Sequence, residues 1–186
     1  MKKRILPILI AAVIFCLTLT ACGGNKATES NATKDAGIFG AFQSVDMEGN
    51  KVDYTVLQGK KLTMVNAWAT FCGPCINEMP DLEKISKEYA DKGFQIVGFP
   101  IDVVVNADGT YANDGTFEEA EKVIKDTGVT YTNILLSDSL IESELGEVYT
   151  IPTTYFLDEN GKQIGDVYVG SKSYDDWCSI IDSLLA

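Results

Sequence analysis

From about residue 40 onward the chain alternates between two rhythms of apolar and polar positions. Residues 62–68 and 95–101 are nearly all apolar and too short for buried helices, as expected of central strands covered on both faces. Between them Met79, Leu82, Ile85 and Tyr89 recur at helical spacing. That predicts a helix over residues 73–90, ending near Gly93 and kinked at Pro80. A second amphipathic helix is predicted over 117–125, closed by Gly128. A short strand over 132–136 and a short helix over 139–147 follow. Residues 153–157 and 163–169 read as a hairpin about Asp158-Glu159-Asn160-Gly161. The last helix, 173–185, turns Trp177, Ile180, Ile181 and Leu184 inward. At the other end, residues 41–46 and 51–54 flank the turn-rich Met47-Glu48-Gly49-Asn50, the pattern of a β-hairpin. Strand–helix–strand units around one sheet give an α/β sandwich.

The first residues follow a different pattern. Met1-Lys2-Lys3-Arg4 is a basic start, and the mostly apolar run to Leu19, broken by Pro7, falls short of the ~20 residues of a spanning helix. Leu19-Thr20-Ala21-Cys22 resembles the lipobox of bacterial lipoprotein signals, and Leu19 is too large for an ordinary secretory cleavage site. Residues 1–21 are read as a lipoprotein signal peptide, which discards Cys16. Residues 22–36 are read as a lipidated Cys22 with a small, polar tether, and 37–186 as one folded domain. An uncleaved anchor would leave that domain on the same side of the membrane. Two acyl chains give stable anchoring, so the expected location is the extracytoplasmic face of a bacterial cell membrane. The formal net charge is −12. So acidic a chain argues against nucleic acid and anionic lipid headgroups as partners, and solubility accounts for the charge.

The candidate chemistry lies in Cys72-Gly73-Pro74-Cys75, after the apolar run and at the start of the predicted helix. Two thiols so spaced can close a disulfide and open it again. A sulfur at a helix N-terminus meets free N–H groups and the positive end of the helix dipole, which favour the thiolate, the attacking species in disulfide exchange. As a structural staple so short a loop removes only about 2 kcal/mol of unfolded-state entropy. A zinc site needs two further ligands, and the chain has no histidine and no second close cysteine pair. These residues point to a thiol–disulfide oxidoreductase whose two sulfurs hold the electrons, with no bound cofactor required.

From about Gly40 to its end the chain resembles the extracytoplasmic thioredoxin-like reductases of the TlpA/ResA type. The residues that carry the resemblance are Trp68-Ala69-Thr70-Phe71-Cys72-Gly73-Pro74-Cys75, Pro80 in the following helix and Ile151-Pro152-Thr153 before the late hairpin. The resemblance implies a thioredoxin-like α/β fold: a central mixed β-sheet flanked by helices, with an N-terminal β-hairpin and a central insertion. It implies that Cys72 is the exposed attacking thiol and Cys75 the buried resolving thiol. Pro152 matches the family's cis-proline, which leaves a backbone edge at Ile151 for the partner; an ordinary edge-strand proline is the alternative. Trp68, Gly73, Pro74, Ile151 and Pro152 are the residues expected to meet the substrate.

Where thioredoxin carries a buried aspartate, this chain has Asn66, which cannot exchange a proton. Glu78 lies one helical turn after Cys75, and the TlpA/ResA group carries an acid there. Glu78 is therefore the residue expected to move the proton of Cys75; a solvent-facing glutamate near a helix start is the plainer alternative. The resemblance also implies an electron donor, an integral membrane dithiol carrier of the CcdA type. The implied client is an oxidised extracytoplasmic protein such as an apocytochrome c, a methionine sulfoxide reductase or another thiol protein. The protein itself is expected to be a monomer.

Other residues carry weaker expectations. Trp68 and Phe71 shield the floor of the site, or simply pack in the core. Cys178 aligns with Ile181 and Leu185 as an inert buried thiol. Residues 103–115 hold two Asn/Asp/Gly clusters whose spacing does not complete an EF-hand, and they read as a surface insertion near the active face. Three rival functions remain: an oxidase or isomerase on the same fold, a thiol peroxidase, and a metal-delivery module. The last is expected to add a distal histidine that this chain does not have.

Overall fold

The computed structural model describes residues 36–186; the expectations placed on the leader, Cys16, Cys22 and the tether as far as residue 35 lie outside them. Two short strands, β1 (Gln43–Val45) and β2 (Lys51–Asp53), form the expected hairpin, with Ser44 opposite Val52. Asp46 closes its turn, one carboxylate oxygen accepting the N–H groups of Glu48 and Asn50 at 3.0 and 2.8 Å. A 3₁₀ turn over Tyr54–Leu57 leads to β3 (Leu62–Trp68), helix α1 (Gly73–Tyr89) and β4 (Phe94–Pro100). Next come α2 (Asp114–Thr127), α3 (Asp138–Ile141), the strands β5 (Thr153–Leu157) and β6 (Gln163–Val169), and α4 (Tyr174–Leu185).

The four longer strands form a mixed sheet in the order β4-β3-β5-β6. The pair β3/β4 is parallel and is crossed by α1, while β3/β5 and β5/β6 are antiparallel. All seven residues of β3 are buried because both faces of the sheet are covered. Met64 and Trp68 point into a cluster with Cys75, Met79, Leu82, Phe156, Trp177 and Ile181 beneath α1 and α4. Val65 and Ala67, on the opposite face, pack with Phe39, Phe42, Phe99, Tyr155 and Leu157.

Helix α1 begins where the sequence places it. Pro74 sits in the first turn, where no N–H is needed, and the helix runs through Pro80 to Tyr89. A 3₁₀ turn over Ala90–Lys92 then ends in Gly93, whose φ of 84° is the left-handed conformation that stops a helix.

Two expected elements are corrected. Residues 132–136 form no strand, only single bridges from Asn133 to Gly98, Ile134 to Asp46 and Leu136 to Val104. Their main chain is shared among three separate neighbours, so no run of consecutive pairs develops. The helix expected over 139–147 is the single turn α3. Beyond it the N–H groups of Ser143 and Gly146 bond three residues back, at 3.1 and 3.0 Å. The Ser143 hydroxyl, bonded to the Leu140 carbonyl and the Leu145 N–H, competes with helical pairing there. The insertion is tied down rather than loose: Val103 and Val105 are buried, and the Tyr111 ring stacks on Phe117 at 4.1 Å.

Candidate active site

The site forms where β3, β5 and β6 end together. Ala67 pairs with Thr153, and Thr153 with Val169, so the antiparallel register sets Pro152 alongside Trp68 at the edge from which α1 departs. Cys72 is the N-cap of α1 and Cys75 lies in its first turn; they are joined by a disulfide with an S–S distance of 1.98 Å and Cα atoms 5.3 Å apart. The Cys72 sulfur accepts the Cys75 N–H at 3.2 Å, answering one of the N–H groups that a helix start leaves free. The two cysteines are unequal. Cys75 is wholly enclosed, and Cys72, expected as an exposed thiol, is itself buried at 6 % exposure in this disulfide-bonded state, keeping only a small edge beside the exposed Gly73 and Pro74.

Pro152 follows a cis peptide bond, settling a geometry the sequence leaves open, and its carbonyl accepts the Gly170 N–H at 2.8 Å. Ile151, half-buried, stands just ahead of the β5 ladder. Two expectations about the aromatic residues are corrected. Trp68 is fully buried and offers no surface to a partner; its indole N–H donates to Asn133 at 2.9 Å. Gly98 makes that bond possible, because a Cβ there would lie 2.0 Å from the Asn133 side-chain oxygen. Phe71 neither shields the floor nor packs in the core: it is 78 % exposed. It stands in the turn between β3 and α1, where the strand's alternation of faces no longer applies. Tyr149, 86 % exposed, is a second large side chain in solvent shortly before Ile151.

Glu78 is not the solvent-facing residue of the plainer alternative. Only 4 % exposed, it is enclosed between α1, β3 and α4. One carboxylate oxygen accepts the Lys172 main-chain N–H at 3.1 Å and the Trp177 indole N–H at 3.2 Å. The other faces the Asn66 amide nitrogen at 3.4 Å, which also donates to the Thr154 hydroxyl at 3.2 Å. Burial pushes the Glu78 pKa up, and the three hydrogen bonds with the more distant Lys172 charge only partly oppose it.

Sequence reasoning missed Asp102. Its carboxylate takes the Thr70 N–H at 3.2 and 3.0 Å and the Thr70 hydroxyl at 2.6 Å, fixing the turn that delivers Cys72. A lone aspartate after a strand carries no signal of that role. Cys178 is free and half-buried rather than fully enclosed, on the face of α4 turned to the far end of α1.

Comparison with known proteins agrees with this geometry. The Redoxin family profile matches residues 24–176. The chain is 33 % identical over 168 residues to a thioredoxin-like protein, YneN, of Bacillus subtilis, covering 86 % of this chain and 89 % of that one. It is 29 % identical to the thiol-disulfide oxidoreductase ResA of Oceanobacillus iheyensis, covering 94 % and 82 % of the two chains. Among solved structures, a thiol:disulfide interchange protein of the thioredoxin family from Chlorobium tepidum superposes with a TM-score of 0.63. That match has 27 % identity and covers 78 % of this chain and 94 % of that one.

Proposed function

Because the chain belongs to the Redoxin family, as a thioredoxin-like thiol–disulfide oxidoreductase of the TlpA/ResA type, we propose that it reduces disulfides of client proteins outside the cytoplasm. The observation that carries this reading is the inequality of the cysteine pair: a sulfur at the rim on a helix N-terminus, bonded to one fully enclosed.

In the reduced protein the Cys72 thiolate attacks a client disulfide. One client sulfur leaves as thiolate and the other stays bonded to Cys72. Cys75 then gives its proton to the Glu78 carboxylate and attacks the Cys72 sulfur, closing the internal disulfide and releasing the second client thiolate. Two electrons have passed to the client, whose thiolates take up protons. A group whose proton affinity is raised by burial suits this acceptor role. The exposed Gly73 and Pro74 and the half-buried Ile151 frame the entrance, with Ile151, ahead of the buried Pro152, presenting main chain to the client. A membrane dithiol carrier of the CcdA type would return the electrons. Cys22, lipidated, would hold the domain at the outer face of the membrane, and the clients would be apocytochromes c, methionine sulfoxide reductases or other thiol proteins.

The test is the reduction potential of the Cys72–Cys75 pair, measured in dithiothreitol buffers. A value near or below thioredoxin's, about −270 mV, supports a reductant, and one near DsbA's, about −120 mV, makes the protein an oxidant or isomerase. Cys75→Ala is expected to abolish turnover and to accumulate mixed disulfides at Cys72, visible by mass spectrometry.

A further inference from the structure

The buried carboxyl of Glu78 has two oxygens in different positions. Oε2 is held by two fixed donors, the Lys172 main-chain N–H and the Trp177 indole. Among the described residues Oε1 has one hydrogen-bond partner, the Asn66 amide nitrogen, at a long 3.4 Å. The other end of the same amide, Oδ1, is buried without a hydrogen-bond partner among the described residues, in a residue only 1 % exposed. A buried acceptor left unanswered is costly and calls for an explanation.

We propose that Asn66 is a positioning residue for the Glu78 proton, its carboxamide turning end over end between donor to the ionised carboxylate and acceptor for the protonated one. This inference rests on the reading of Glu78 as proton carrier given above. Two N–H donors occupy Oε2, so the proton goes to Oε1. An O–H there would meet the Asn66 N–H head-on. Half a turn of the amide, which keeps its shape almost unchanged, brings Oδ1 to that position instead. Thr154 permits both orientations, because its hydroxyl accepts from Nδ2 in one and donates to Oδ1 in the other. The unanswered end of the amide changes from oxygen to nitrogen, so neither orientation leaves two.

The groups set against Glu78 are Asn66 from β3, the Lys172 N–H and charge just before α4, Trp177 on α4, and the charge-coupled Tyr131, with Thr154 of β5 reached through Asn66. Tyr131 is the rival partner. Its hydroxyl is also buried without a hydrogen bond among the described residues, and the charges of Glu78 and Glu83 both act on it.

The test uses the oxidised protein, in which no chemistry proceeds, with the Asn66 side-chain amide and the Glu78 carboxyl followed by NMR across pH. The two signals are expected to move together with one midpoint, and Glu78→Gln to abolish the movement at Asn66. In Asn66→Asp, whose ionised side chain accepts but cannot donate, the Glu78 midpoint and the pH profile of the resolving step should rise together by a unit or more. Tyr131→Phe should leave both in place. Asn66 signals that stay flat through the Glu78 titration overturn the proposal without needing any variant to fold. So does a Tyr131→Phe substitution that moves the midpoint as far as Asn66→Asp does. If Asn66 follows Glu78 while the resolving rate ignores both, the pairing is supported and the proton-transfer reading of Glu78 falls separately.

Discussion

Glu78 and Glu83 stand on the same helix, five positions apart, and are almost equally enclosed, at 4 % and 7 % exposure. Their surroundings send them in opposite directions. Around Glu78, burial outweighs the neutral donors and the remote Lys172 charge, and the pKa rises. Around Glu83, burial also pushes upward as the largest single influence. Lys87 at 2.7 Å together with the Thr130 N–H and hydroxyl, each at 2.7 Å, more than cancel it, and the pKa falls. Burial alone does not decide what a carboxyl does. A cation within hydrogen-bonding reach makes Glu83 a fixed anion that ties α1 to the segment after α2, while Glu78, with no such cation among the described residues, suits the proton-carrying role proposed above.

The strongest break of this comparison is Glu78→Gln. The amide cannot accept the Cys75 proton, and the resolving step should slow by about 10²-fold or more, measured as decay of a preformed mixed disulfide across pH. Rates equal to wild type at every pH would leave Glu78 a structural residue like its neighbour. Next in size is Glu83→Ala, which should cost about 1–2 kcal/mol in urea unfolding by removing both Thr130 hydrogen bonds, and should leave the exchange chemistry in place.

The same pair gives opposite slopes of stability with pH. For Glu83, held below the ordinary 4.5, stability is present above that value and is lost as pH falls through its folded pKa. For Glu78, held above 4.5, the ionised form is carried at a cost, so stability is gained as pH falls from its folded pKa toward 4.5. Glu78→Gln should remove the gain and Glu83→Gln the loss, read from unfolding midpoints at a series of pH values. The smallest effect is expected for Lys87→Met. Its side chain is 65 % exposed, so the lost ion pair should cost less than about 1 kcal/mol while the Glu83 pKa moves upward.

Much of this architecture is written locally. Seven consecutive residues of β3, the helical spacing of Met79, Leu82, Ile85 and Tyr89, and the turn at Asp158-Glu159-Asn160-Gly161 each report a single element and its buried face. Residues 132–136 escaped this reading because their apolar character comes from lying between three neighbours, not from membership of a ladder. Phe71 escaped it because a residue in a turn belongs to neither the strand's period nor the helix's. Asp102 escaped because its partner, Thr70, lies 32 residues away in the chain.

By itself, then, the sequence determined the four longer strands and the three longer helices, the cysteine pair at the start of α1 and the kind of chemistry two such sulfurs perform, since periodicity and short spacing are properties of neighbours in the chain. Only the tertiary structure decided that Cys75 is enclosed while Cys72 keeps an edge, that Glu78 is buried without a close cation, and that the Asn66 amide faces it with one end unanswered. Those facts depend on β3, β5 and α4 meeting in space, and a carboxyl's hold on its proton is set by everything packed around it.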